Sequence, residues 1–333
     1  MKKLTAILLF AAGILLFTSS FAKQAKIDSL ENRLQSVNED TSKLKILITL
    51  SKEFRIKWPK KSISYATEAL ELAQKLKDTI RMSESLNDLG AAEKAIGNYG
   101  KALEYYKYSI KLLEKNYLDS LNSSLAVKKT FATTIANMGL LYMEKGEYDN
   151  ALDYMLKALK IFEDIDEKQE VAYLLNNIGI VFFDQKKFEN ARDYYLKSLA
   201  INEKIGNKNA MSTTLGNIGT TYGAQQNLDK AEEYFLKQLE ITEKTENNNG
   251  ISTCLGNLGI LYTMKEDHEQ ALKYLIRGLQ LAKEMEDKRL IAYSFDNIGS
   301  AYNKLGLYQK AIEYQNKGLE LAKEMGANPI IAN

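Results

Sequence analysis

The sequence predicts an all-α solenoid built from antiparallel helix pairs. Three observations carry that prediction. First, Gly139, Gly179, Gly219, Gly259 and Gly299 recur at one constant step of 40, and Ala151, Ala191, Ala231, Ala271 and Ala311 recur at the same step. Second, apolar residues flank each glycine at −4, −1 and +3: Leu215, Ile218 and Tyr222 around Gly219, and Ile135, Met138, Tyr142; Leu175, Ile178, Phe182; Leu255, Leu258, Tyr262; and Phe295, Ile298, Tyr302 in the other copies. That spacing is one stripe of a helix. Third, each alanine opens a second stripe, as in Ala231, Tyr234, Phe235 and Leu239, and short polar turns such as Lys145-Gly146-Glu147, Gln225-Gln226-Asn227 and Leu305-Gly306 separate the two. Self-similarity at a fixed period marks a repeat array. A glycine inside a helix costs about 1 kcal/mol against alanine. Five at one position therefore imply a second helix crossing close by.

The elements follow in order. Met1-Lys2-Lys3 is basic, Leu4 to Phe17 is apolar, and Ser20-Phe21-Ala22 offers small residues for cleavage. Residues 1–22 thus read as a signal peptide, with a mature chain starting at Lys23. The apolar run has 14 residues, short of the about 20 a membrane span needs. The expected location is periplasmic or extracellular. Lys23 to Asn38 carries Ile27, Leu30, Leu34 and Val37 on one face, so residues 23–43 are expected to supply a capping helix. Seven repeats then occupy residues 44–333. The first lacks the glycine and shows only its second half, Ser62-Ile63-Ser64-Tyr65, which lies one step before Ala102-Leu103-Glu104-Tyr105. Trp58-Pro59 falls at its turn, since proline would break a helix interior. The second repeat, around Gly90 and Ala102, is divergent. From Ala102 to Ala151 the step is 49, nine over the period, which places an insertion near 116–130. Leu118, Leu121 and Leu125 keep helical spacing, predicting longer helices that meet at Asn122-Ser123-Ser124. The insertion is either a tolerated elongation or a local binding protrusion. Residues 326–333 follow the seventh repeat, and Ile331-Ala332 stands one step after Ile291-Ala292. They read as an incomplete eighth unit that leaves Ala311, Tyr314 and Leu319 at an open edge. Either a partner or second copy covers that edge, or the chain is truncated relative to a longer sensor protein.

The pairs Ile218-Gly219…Tyr222 and Ala231…Phe235 resemble the tetratricopeptide repeat, and the register extends over about residues 44 to 333. Leu215 and its equivalents replace the usual tryptophan, the closing proline is absent, and the period is 40 instead of about 34. Six extra residues add about 9 Å of helix. The chain is therefore similar to the long-helix subgroup typified by kinesin light chains, and to the sensor regions of some bacterial kinases and cyclases. The resemblance implies a right-handed superhelical solenoid.

Composition narrows the chemistry. Without residues 1–22 the chain holds 43 basic and 43 acidic residues, which argues against a nucleic-acid partner or a polybasic membrane role. Cys254 is the sole cysteine and cannot form an internal disulfide; on its glycine-bearing helix it reads as a small core residue. His268, the sole histidine, stands where other copies have Tyr148, Phe188, Leu228 and Tyr308, so it reads as a packing residue at a turn. One histidine and one cysteine leave no common zinc site. No phosphate-cradling glycine loop is present. Carboxylates are scattered over polar helix faces. Neither an enzyme, a cofactor nor a metal is expected. Lys157, Lys197, Lys237, Arg277 and Lys317 repeat six residues after each alanine and read as a solvated basic row.

One polar position stands out. Asn137, Asn177, Asn217, Asn257 and Asn297 each precede the repeat glycine by two residues, with Asp88 in the divergent copy. At about 100° per residue they point roughly 130° away from the core stripe. They share a face with Thr133, Tyr173, Thr213, Thr253 and Tyr293 at −6, with Leu140, Ile180, Thr220 and Ile260 at +1, and with Glu144, Asp184 and Met264 at +5. This mixture suits adaptable peptide contact. Asparagine is a mediocre helix former, so five in register need a reason. The resemblance implies that this position lines a concave groove and hydrogen-bonds a ligand backbone. A ladder between neighbouring helices, with no ligand, is the alternative. The basic clamp residues that capture a chain terminus in some relatives are missing at −6. The sequence thus leads to an exported, non-enzymatic scaffold that binds a protein or peptide, with no nucleic acid or small-molecule substrate as partner and with self-association through the C-terminal edge as a further expectation. The alternative is the extracytoplasmic sensor region of a histidine kinase or nucleotide cyclase lacking its catalytic part.

Overall fold

The computed structural model describes residues 25–118 and 124–325, and these are helical nearly throughout. The signal-peptide reading over 1–22 and the eighth-unit reading over 326–333 lie outside the described residues. A first helix, α1 (25–34), precedes seven pairs. They are α2 (Thr41–Phe54) with α3 (Pro59–Lys75), α4 (Thr79–Ala95) with α5 (Tyr99–Leu118), and α6 (Leu125–Glu144) with α7 (Tyr148–Asp164). Then come α8 (Lys168–Asp184) with α9 (Phe188–Ile205), α10 (Lys208–Ala224) with α11 (Leu228–Lys244), α12 (Asn248–Met264) with α13 (His268–Glu284), and α14 (Lys288–Lys304) with α15 (Tyr308–Glu324). Among the described residues there is no strand.

The constant period has a local cause in how each helix stops. After α10, Gln226 adopts φ +61°, the left-handed region. Its N–H donates to the Gly223 carbonyl at 2.9 Å, and the Asn227 N–H donates to the Tyr222 carbonyl at 3.0 Å. This pair of bonds closes a helix C-terminus by satisfying carbonyls that would otherwise lack donors. Asn227 then caps the next helix, its side chain accepting from the Lys230 N–H. One residue thus ends one helix and starts another, so a 17-residue helix and a three-residue turn make each half of the repeat. Among the described residues glycine occupies the left-handed position at Gly97, Gly146, Gly206 and Gly306; Lys77, Asp166, Lys186, Glu246, Glu266 and Glu286 hold it elsewhere.

Pro59 departs from the expectation of a turn residue. It is the first residue of α3, following Trp58 as N-cap, a place where a missing N–H leaves no helical bond unmade. At the insertion, α5 and α6 are each 20 residues long. Ser124 caps α6 by accepting from the Val127 N–H at 3.3 Å, and residues 119–123 lie outside the described residues.

The chain divides after Asp166 into two compact units. In the first, α1 lays Ile27, Leu30 and Leu34 against Ile46, Leu50 and Phe54 of α2. The pairs α2·α3, α4·α5 and α6·α7 follow. In the second unit, α8·α9, α10·α11, α12·α13 and α14·α15 stack in sequence order. Here α8 touches α10, α10 touches α12 and α12 touches α14, whereas the second helices of successive pairs do not touch one another. The first helices therefore lie on the inner side of this unit.

The repeat glycines sit where the two helices of a pair approach closest. A Cβ on Gly219 would come within 2.7 Å of the Phe235 ring, and one on Gly139 within 2.7 Å of Met155 Cγ. Tyr106, Tyr195, Leu275 and Gln315 occupy the same place over Gly90, Gly179, Gly259 and Gly299. A second tie within each pair is aromatic. Tyr142 and Tyr154, Phe182 and Tyr194, Tyr222 and Tyr234, and Tyr262 and Tyr274 stack with centroids 5.3–5.6 Å apart, a spacing that favours offset rings.

Candidate functional site

In the second unit two of the four first helices, α10 and α12, carry little charge. α12 contains no charged residue, and α10 contains only Lys208, although 26% of the whole chain is charged. On the inner side Tyr173 and Tyr293 are exposed, as are Thr213 and Thr253. The threonine hydroxyls turn inward: Thr213 Oγ1 donates to the Asn209 carbonyl at 3.3 Å and Thr253 Oγ1 to the Asn249 carbonyl at 3.0 Å.

The asparagine row lies deeper than a position pointing away from the core would. Asn177 is buried, and Asn217, Asn257 and Asn297 are half-buried, because the adjoining first helix closes over one side of each. Their amides are used unequally. Asn177 Nδ2 donates to the Tyr173 carbonyl of its own helix at 2.8 Å. Asn217 Nδ2 crosses to Asn176 Oδ1 on α8 at 3.0 Å, where Thr214 Oγ1 also reaches at 3.3 Å. Among the described residues the Asn257 amide has no hydrogen-bond partner, and Asn297 Nδ2 is enclosed without one. A ladder between helices thus exists at one step, Asn176 to Asn217, and the remaining members do not extend it. In the first unit Asn137 is half-buried on α6.

Two cavities open on this face. One, of about 330 Å³, lies beside Tyr173, Asn176, Asn202, Thr213 and Thr214. The other, of about 410 Å³, is walled by Thr220 and Ala224 of α10, by Asn257, Ile260 and Met264 of α12, and by Tyr293 of α14. The structure therefore brings Tyr173 together with Thr213, and Asn257 together with Tyr293. Asn176 and Ala224 were not singled out by the sequence. Asn176 hides beside the repeated asparagine, and Ala224 is small in a single copy, so neither carries a periodic signal.

The first unit treats the row position differently. Asp88, at 3% exposure, is enclosed on α4. Burial pushes its carboxyl up to about 7, against the opposing pull of Lys52 and Arg55. Among the described residues its Oδ2, Asn87 Oδ1 and Tyr106 Oη have no partner. Beside them Asn87 Nδ2 donates to Thr134 Oγ1 at 2.8 Å, and Thr134 and Ser109 hydroxyls lie 3.0 Å apart, so a polar chain joins α4, α5 and α6.

Elsewhere the candidate chemistry is structural. Cys254 is fully buried, its Sγ is 3.1 Å from the Phe235 carbonyl, and burial pushes the thiol up to about 12, which leaves it unreactive near neutrality. His268 is half-buried at the start of α13. The basic row is tied down. Lys157, Lys237 and Lys317 pair with Asp153, Glu233 and Glu313 at 2.7, 2.6 and 2.5 Å, and Arg277 pairs with Glu243 at 2.6 Å. Lys157, Lys197, Lys237 and Lys317 also lie over Tyr154, Tyr194, Tyr234 and Tyr314. No group of histidine, cysteine and carboxylate side chains among the described residues could hold a metal.

The tetratricopeptide repeat model matches residues 130–204, 210–284 and 265–324, more than half of the chain. The Photosystem I assembly protein Ycf3 of Prochlorococcus marinus, strains MIT 9301 and MIT 9215, is 39% identical over 70 residues. That stretch is 21% of this chain and 34% of Ycf3, so the match spans about a third of these curated relatives. The apo form of the quorum sensor NprR from B. thuringiensis superposes with a TM-score of 0.67 at 15% identity, over 94% of this chain and 86% of that one. A Rap protein complexed with Competence and Sporulation Factor gives 0.59 at 16% identity, over 91% and 80%. At such identities the likeness is one of fold, a helical solenoid. The repeat glycines, the paired helices and the matched family model lead to one conclusion: this chain belongs to the tetratricopeptide repeat family.

Proposed function

We propose that the chain is an exported, non-enzymatic scaffold that binds a peptide or protein segment along the inner face of its first helices. The observation that carries this reading is the near absence of charge on α10 and α12 together with two cavities flanked by half-buried amides. Such a face presents apolar walls and a few placed hydrogen-bonding groups, the composition of sites that take a ligand. The Rap and NprR structures support the reading as fold relatives, one of them described in complex with a factor and the other as a quorum sensor. The test replaces Asn177, Asn217 and Asn257 by alanine together. Binding to a partner captured by the intact chain is expected to fall by about tenfold or more, measured by calorimetry. Unchanged binding would overturn the groove assignment.

Export rests on the basic, apolar and small-residue order of residues 1–22. N-terminal sequencing of protein recovered from the native envelope is expected to start at Lys23. A chain retaining Met1 in the membrane would sink the proposal. A sensor role within a longer signalling protein is the second reading, supported by the quorum-sensor fold relative.

A further inference from the structure

The cavity of about 410 Å³ exists because one wall is small. At positions +1, +4 and +5 after the repeat glycine, α10 has Thr220, Gly223 and Ala224, where α8 has Ile180, Phe183 and Asp184 and α6 has Leu140, Met143 and Glu144. Packing within the pair does not demand this. A Cβ on Gly223 would meet only Ala231 Cβ, at 4.0 Å, whereas one on Gly219 would strike Phe235. Glycine in a helix costs about 1 kcal/mol against alanine, and here no close-packed neighbour explains it.

The facing wall is large and apolar. Ile260, Met264 and Tyr293 remain 37%, 39% and 46% exposed, and their exposed parts converge on this space. No lining residue carries a charge. The Thr220 hydroxyl donates to the Gly216 carbonyl at 2.9 Å, so its hydrogen is not free for a ligand. The Asn257 amide is, with both a donor and an acceptor available at the rim.

We infer that this cavity receives an apolar side chain of an uncharged, extended peptide segment, whose adjacent backbone is held by the Asn257 amide. This rests on the reading that the inner face binds peptide. A charged side chain entering here would lose hydration with no counter-charge to replace it. The space admits one large aliphatic or aromatic group together with its adjoining backbone, and Met264 can adjust its shape to either. An amide offering donor and acceptor together matches a peptide unit.

The experiment pans a phage-displayed library of random peptides of about 12 residues, enough to span several first helices, on the full-length chain. Enriched peptides are expected to share one aliphatic or aromatic position flanked by uncharged residues. They should bind Ala224→Phe about tenfold more weakly, as loss of an anchor pocket requires, and should also weaken with Asn257→Ala. Ala224 is exposed at the end of α10, so the phenylalanine takes up part of the cavity beside Ile260 and Tyr293 and leaves the core alone; circular dichroism checks the fold. Enriched peptides that bind Ala224→Phe as tightly as the parent, yet lose affinity for the Asn177→Ala, Asn217→Ala double variant, would overturn the pocket and leave peptide binding on this face standing. A shared acidic or basic anchor would overturn the proposed chemistry. No enrichment at all would overturn both.

Discussion

The first helix pair, α2·α3, and the fifth, α10·α11, solve one packing problem in opposite ways. In α10·α11 a glycine, Gly219, lies under a large ring, Phe235. In α2·α3 the same register positions hold Leu50 and Ala66, one period before Gly90 and Tyr106, and both are fully buried. The large and small residues have exchanged helices. What the pair needs is a constant volume at the crossing, as expected of a close-packed interior. A second contrast concerns the row two residues before the glycine. Asp88 on α4 is closed in with two other unpartnered polar atoms, whereas Asn257 in the second unit borders a cavity. The repeat of α4 uses this position for a buried polar centre, and that of α12 leaves it beside open space.

Exchanging the two sizes at the crossing perturbs the pair most. Gly219→Leu alone should destabilise the chain by about 3 kcal/mol through overpacking, and Phe235→Ala alone by about 3–5 kcal/mol through a cavity. Together they recreate the Leu50–Ala66 arrangement, so urea denaturation followed by circular dichroism should show the double variant at least about 1 kcal/mol better than additive. Strict additivity would mean that the two crossings are not equivalent.

The contrast in the polar row predicts a pH effect. The Asp88 carboxyl titrates near 7 in the folded chain against an ordinary value of 3.8. The folded state therefore holds this proton more tightly than the unfolded chain. Its contribution is complete below pH 4 and is lost as pH rises through about 7. The charged groups that act on it are Lys52 of α2, Arg55 just after that helix and Glu84 of α4, and Tyr106 of α5 feels it in turn. Asp88→Asn should remove that dependence and exceed the parent by about 2 kcal/mol or more at pH 8, where the parent has a buried charge, with little difference at pH 4. Equal stabilities at both pH values would show that Asp88 is not the titrating group.

Smaller effects test the turns and the outer face. Gln226→Gly removes a side chain from a left-handed position, already glycine at Gly146 and Gly306, and should stabilise by about 0.5–1 kcal/mol, read as a raised urea midpoint. Lys237→Ala removes an exposed pair with Glu233 and a ring contact with Tyr234; its effect on the same midpoint should stay within about 0.5 kcal/mol.

Helix pairing was legible from the sequence because its causes are local and repeated. A helical apolar stripe, a glycine under a large residue and a short polar turn recur at one constant step, and repetition removes the ambiguity of any single match. The family followed from the same residues, Gly219 and Ala231 with their apolar flanks. Tertiary structure decided the rest. The left-handed turns fall on Lys186, Gln226 and Glu266 as well as on glycine, because the bonds that close each helix outweigh a local preference. Whether an asparagine is buried, crosses to Asn176 or stays free beside a cavity depends on how closely the neighbouring first helix approaches, a distance that no repeat unit encodes alone. The cavity beside Asn257 arises from small residues on α10 facing large ones on α12 and α14, and Asp88 acquires its shifted acidity only when α2 and α5 enclose it. Periodicity in the chain sets which residues face a neighbour; the spacing between neighbours sets what that face can bind.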